Sequence, residues 1–459
     1  MESESSDALE RVAHYSLMHA LRGRRSRRFG RGMRIDAGPL AYASQHPPQP
    51  LGEAEEAVLA FAACGITGYD LADLAYGPGQ GGSMLAGLLG RTIASPDSVN
   101  AVSLVITNDD ATYLLKRPVD FPPTEIPDLI RLGREGRLLE VYRRSRVQIA
   151  DGRCAPPVEP GYNFNINKWS LYARGGTYFI PIESMTGAYI NVLLEVFDPT
   201  MGLFGIDERN FFRPAGVGPF AKSRGGALDD DLTGGRVFTV QAIEMALAES
   251  VAVEQGMLLQ NLGLMTQALG LGGFANYARH EYSWFEALGF RMGQLPGSRY
   301  VGAPRILSFI LGLLVRDRPY PYPLGLERDG EVWLKPYCPP YYPSMKAAVE
   351  AFVEYKFGPQ GVYRDRQADT AWKHPDAVRA QIAPHSQSAI DATIAYCEYL
   401  FRRYGRFPVY SAPFRTVIGY QATHVDVEFY DRFYRPEALT ETQRQHQALW
   451  HSMTPQNRS

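Results

Sequence analysis

Apolar residues at Leu9, Val12, Ala13, Leu17, Ala20 and Leu21 recur at helical spacing, which predicts a first helix over residues 7–21. A proline-marked loop, "HPPQP", follows, and then "LGEAEEAVLAFAACG", a second helix with acidic residues in its first turn, where they suit the helix dipole. "SPDSVNAVSLVITND" reads as a turn feeding a short strand from Val102 to Thr107. Residues 118–236 look loop-rich, with two strand-like runs, "TYFIPI" and "YINVLLEVF", and close on a glycine- and aspartate-rich stretch expected to be mobile. Residues 237–269 predict one long helix, or two in succession, ending at "GLGG" with glycine at the C-terminal cap. "RILSFILGLLVRD" predicts a further buried element.

Beyond it, "RPYPYPLGLERDG" and "KPYCPPYYPS" form a proline- and tyrosine-rich connection. The remainder holds two helical patterns, "SMKAAVEAFVEYKFG" and "SAIDATIAYCEYLFRRYG", and a strand-like run at "HVDVEFY". A domain boundary is therefore expected near 335. Residues 1–335 would form one domain with an insertion at about 118–236, and residues 336–459 a mainly helical region of unknown role.

Composition narrows the function classes. The 459 residues are 45% hydrophobic and 21% charged, with a formal charge of −2, so a chain built mainly to bind nucleic acid is not expected. No uninterrupted apolar stretch is long enough for a membrane helix, and "MESESSDALE" is acidic where a signal or transit peptide is basic. Four scattered cysteines without metal spacing read as reduced thiols, and the chain is expected to be cytoplasmic.

Among chemical motifs, "GPGQGG" (Gly77 to Gly82) matches G-x-G-x-x-G, but no hydrophobic strand precedes it and proline occupies its second position, so a flexible loop is expected. His424, Asp426 and Glu428 would share one face if 424–431 were a strand. That trio suits metal, yet a solvated edge strand explains it as simply, and no metal site is assigned. No Walker sequence, nucleophile elbow or HExxH is present, and no catalytic side chain is assigned.

The densest charge lies in "LRGRRSRRFGRGMR" (21–34), seven arginines in fourteen positions, placed directly after the first helix. Within it, "RRSRRF" (24–29) resembles the R-x-S-x-[RK] signature of the FMN-dependent nitroreductase family. "ASPDSVNAVSLVITND" is similar to the family's asparagine-containing segment, with Asn100 in the asparagine's place and Ala101, Val102 and Ser103 where the family carries Q-P-W. "EQGMLLQNLGLMTQALGLGG" (254–273) resembles its long central helix. The resemblance spans about residues 10–330 and implies an α+β nitroreductase-like fold, a mostly antiparallel sheet flanked by helices, with the C-terminal region added.

The resemblance implies FMN bound by Arg24, Arg25, Ser26, Arg28, Asn100, Leu271, Gly272 and Gly273, and a homodimer. The implied activity is electron transfer between NAD(P)H or another donor and a small organic substrate. The chemistry agrees: arginine forks suit a phosphate, and the cofactor itself carries the redox step. Arg24 and Arg28 flank Ser26 and are expected to face the phosphate, with the side chains of Arg25 and Arg27 turned elsewhere, partly to solvent. The alternatives are a non-catalytic flavin-binding or storage protein, and a cofactor-less interaction protein that retains the fold.

Overall fold

The computed structural model describes residues 12–73, 87–95, 98–158, 165–277, 281–303, 305–314, 316–416 and 418–451. The "GPGQGG" loop and the start of the expected first helix lie outside them. Its class is α+β: helices pack around mostly antiparallel sheets, with Phe204–Asp207 and Val237–Thr239 a parallel pair. The main sheet runs β5–β6–β4–β1–β2–β3, where β1 is Val102–Thr107, β2 Ala111–Leu115, β3 Arg146–Asp151, β4 Thr177–Ser184, β5 Gly272–Tyr277 and β6 Ile418–Thr423. Every neighbouring pair on this path is antiparallel, and the two-residue strand Phe414–Arg415 pairs with the end of β4.

Strand β1 forms where the sequence predicts it, and all its residues are buried. Covered on both faces, it reads as a continuous apolar run instead of an alternating one. The residues expected as an insertion supply β3 and β4, and β4 sits in the middle of the sheet between β6 and β1. Residues 336–459 are helical at Met345–Phe357 and Gln387–Tyr404, as expected, but they also supply β6. The sheet therefore crosses the expected boundary near 335.

Three elements differ from expectation. "YINVLLEVF" lies largely within the helix Met185–Val196, whose residues are mostly buried. A helix covered all round shows no period, so its apolar run is indistinguishable from that of a buried strand. "RILSFILGLLVRD" does form a helix, Arg305–Leu313, but Ile306, Phe309 and Leu313 are 76%, 67% and 68% exposed. "HVDVEFY" follows β6 and turns into the helix Val427–Phe433, because the Asp426 carboxylate accepts the Phe429 N–H at 3.1 Å and caps it.

The helices that build the site are α1 (Leu17–Gly23), α2 (Glu53–Cys64), α3 (Val240–Leu269) and α4 (Glu441–His451). Helix α3 runs 30 residues and stops at Gly270, whose φ of +79° costs little only for glycine. Leu258, Leu259, Leu262 and Leu269 of α3 pack with Val58 and Leu59 of α2 and with β1 in one core. No helix among the described residues is long and apolar enough to cross a membrane, and Cys64, Cys154, Cys338 and Cys397 are all free thiols.

Candidate functional site

Helix α1 ends at Gly23, and Arg24 leaves the helix with an extended backbone while its N–H still donates to Ala20 O at 2.9 Å. The next residues run extended, so side chains alternate between inside and outside. Arg24, Arg25 and Ser26 are exposed, Arg27 and Phe29 are buried, and Arg28 is half-buried.

Arg27 is thus the reverse of its expectation. It is 2% exposed, and its guanidinium donates to Ala438 O (2.8 Å), Gln267 Oε1 (2.8 Å) and Gly23 O (3.1 Å). Burial lowers its pKa, with the nearby Tyr430 opposing. Its backbone bridges Gly273 at the start of β5. A Cβ on Gly272 would lie 2.6 Å from Arg27 O, and one on Gly273 would lie 2.5 Å from the Tyr420 ring. The arginine segment and the "GLGG" segment are thereby joined, and what approaches the two glycines is the protein itself. Leu271 beside them is buried in the core.

Arg28 points the other way. Its guanidinium lies over the Phe274 ring at 4.3 Å and the Trp169 ring at 5.1 Å, a cation–π arrangement. Its Nη2 donates to Asn167 Oδ1 (2.9 Å) and Ser170 Oγ (3.0 Å). Its Nε is buried and makes no hydrogen bond among the described residues. Desolvation lowers the pKa of this guanidinium too.

Arg25, Ser26 and Arg28 open onto a groove of about 1000 Å³. Its walls are Phe29, Leu40, Trp169, Tyr430 and Tyr434, with Arg435 and Glu437 at the rim. Phe29 stacks on Phe429 with centroids 4.0 Å apart, and the Phe29 N–H donates to the Tyr430 hydroxyl at 3.1 Å, which fixes this wall. Arg25 folds back, donating to Arg24 O at 2.9 Å. Three cationic side chains on an apolar, aromatic floor fit a flat ligand with an anionic end.

Asn100 is elsewhere. It lines a separate cavity of about 300 Å³ with Tyr69, Leu88, Phe121 and Tyr355, which shares no lining residue with the groove. Its amide donates to Leu89 O (3.2 Å) and Ser98 O (3.3 Å), bracing a turn in which its own φ is +50°. The His424–Asp426–Glu428 trio does not form either. His424 and Asp426 are buried, while the Glu428 carboxylate sits at the surface, 3.1 Å from His46 Nε2. The groove residues that sequence reasoning missed, Trp169, Tyr430 and Arg435, come from distant segments, and no local spacing ties them to the arginines.

No family model matches the chain, and no curated protein does. Among solved structures, a candidate nitroreductase from Ralstonia eutropha JMP134 aligns at 11% identity and a TM-score of 0.29, covering 60% of this chain and 77% of its own, a similarity too slight to establish a shared fold.

Proposed function

We propose that the chain is a flavin-dependent oxidoreductase that holds FMN in the groove lined by Arg25, Ser26 and Arg28. The observation that carries this reading is Arg28: a half-buried guanidinium with an unsatisfied Nε, between two aromatic rings, at the edge of a groove large enough for a flat heteroaromatic ligand. In this reading Arg25, Ser26 and Arg28 bind the phosphate end, and Phe29, Trp169 and Tyr430 exclude water from the ring, while Arg24 lies outside the groove's lining, beside Gly263 of α3. Arg27 and the Gly272–Gly273 backbone hold the binding segment in place behind it. When bound, the flavin supplies hydride transfer between NAD(P)H or another donor and a small organic substrate. Asn100 has no part in this groove.

The exposed Ile306, Phe309 and Leu313 face is where we place a second copy of the chain, as an apolar patch of this kind favours association. A second reading is a chain that keeps this groove without a cofactor. It is favoured by the bonds Arg28 already makes to Asn167 and Ser170.

Binding titrations with FMN and with riboflavin, which lacks the phosphate, separate the two readings. The flavoprotein reading predicts that FMN binds tighter than riboflavin and that Arg28→Ala erases most of the difference, on the order of 10–100-fold for one charge-assisted contact. Equal, weak binding of both ligands by the native chain would count for the cofactor-less reading.

A further inference from the structure

Three buried side chains outside the lining of the groove converge on one point. Glu55 lies in the first turn of α2, His424 directly follows β6, and His446 lies in α4. Each is at most 4% exposed. His424 Nε2 is 3.3 Å from Glu55 Oε2, His446 Nε2 is 3.7 Å from Glu55 Oε1, and His424 Nδ1 is 2.9 Å from His446 Nε2. One ligand atom from each residue lies within 4.8 Å of the others.

The backbone presets this arrangement. The Gly52 N–H donates to Glu55 Oε2 at 2.8 Å and fixes the carboxylate at the start of its helix. A Cβ at Gly270, the cap of α3, would lie 2.6 Å from His446 Cβ, so only glycine lets α4 come this close.

We infer that Glu55, His424 and His446 form a three-ligand site for a divalent transition metal of the zinc type. Two imidazole nitrogens and one carboxylate oxygen are a common donor set for such ions. Ligand atoms about 2.0–2.2 Å from a tetrahedral ion lie roughly 3.3–3.6 Å from one another; His424 Nε2 and Glu55 Oε2 already stand 3.3 Å apart, and one ligand atom from each of the three residues lies within 4.8 Å of the other two, so a small closure brings the set to that spacing. The ion binds α2, β6 and α4 together and so fastens the C-terminal helix to the core. It is independent of the flavin reading.

Metal analysis of the full-length chain, purified without chelator, tests the site. About one ion per chain is expected. After removal of that ion, cobalt(II) added to the apo chain should give visible ligand-field absorption and raise Tm. Glu55→Gln and His446→Ala should lose both effects, whereas His46→Ala, at the surface, should keep them. Should either variant fail to fold, the cobalt titration of the native chain decides alone. A folded native chain that carries no stoichiometric metal and shows no cobalt absorption overturns the site and leaves the three groups sharing protons.

Discussion

Arg27 and Arg28 are adjacent and chemically identical, yet their surroundings give them opposite work. Arg27 satisfies three carbonyl-type acceptors in the interior, and its removal leaves Ala438 O and Gly23 O short of a donor and Gln267 Oε1 with only the Gln443 Nε2 donor at 3.4 Å. Each buried polar group left unsatisfied costs about 1–3 kcal/mol. Arg27→Ala is therefore expected to lower unfolding stability by about 3 kcal/mol or more, read from the urea midpoint at constant slope. Arg27→Lys should recover little of this, because an ammonium cannot reproduce the planar fork. Exposed Arg24→Ala should stay within about 0.5 kcal/mol of the native chain. Equal losses at both positions would contradict the division of labour between them. The sequence shows the density of arginines but not this division, because Arg27 is buried by Ala438 and Gln267, hundreds of residues away.

At the scale of elements, legibility followed length and capping. Helix α3 and the helices Met345–Phe357 and Gln387–Tyr404 run 30, 13 and 18 residues and start at Thr239, Ser344 and Ser386, whose side chains accept first-turn N–H groups, so they are readable. Helix Met185–Val196 is buried all round and shows no period, and the turn after β6 was misread because its cap, Asp426, sits inside an apparently alternating run. The glycine pair at β5 was legible as a place of close approach, though not what approaches it. Gly273→Ala would drive a methyl into the Tyr420 ring between β5 and β6. A loss of about 1–3 kcal/mol is expected from such overpacking, and an unchanged melting curve would show that the strands part freely.

Helix Met185–Val196 also carries a pH-dependent element. Lys356 Nζ donates to Asn191 Oδ1 at 2.8 Å and lies 2.9 Å from His385 Nε2. Burial and the Lys356 charge push His385 down to about 2, so the ring is neutral and accepts that hydrogen bond. Burial lifts the neighbouring Glu195 from its ordinary 4.5 to about 7, with Lys356 opposing and Asp198 assisting. Because the folded chain holds this proton more tightly than the unfolded one, Glu195 contributes its full stability below pH 4.5 and loses it as pH rises through 7. Urea unfolding should show a decline on the order of 1–3 kcal/mol across that window, and Glu195→Gln should remove that part of the slope. A Glu195→Gln profile as steep as the native one would assign the decline to other groups.

For the whole molecule, the sheet explains why the chain does not divide near 335. Strand β6, from the C-terminal region, lies between β5 and β4, and α4 returns to α3 beside the arginine segment. Long-range pairing of this kind leaves no local signature, so a boundary read from the proline- and tyrosine-rich connection marks only a change in composition. The exposed helix Arg305–Leu313 is the corresponding feature at the surface. If it is the dimer face, Phe309→Glu should convert a dimer to a monomer in light scattering without altering the melting curve. A native chain that is monomeric at all accessible concentrations would remove that role.

The central claim, that the arginine groove is a flavin site, is tested most directly by the visible absorption of the full-length chain after incubation with FMN and removal of unbound ligand. The account predicts a retained oxidised-flavin band that bleaches on addition of NAD(P)H or dithionite and is lost in the Arg28→Ala, Ser26→Ala double variant while the protein stays folded. A colourless native chain, or a band that the double variant retains in full, would contradict it.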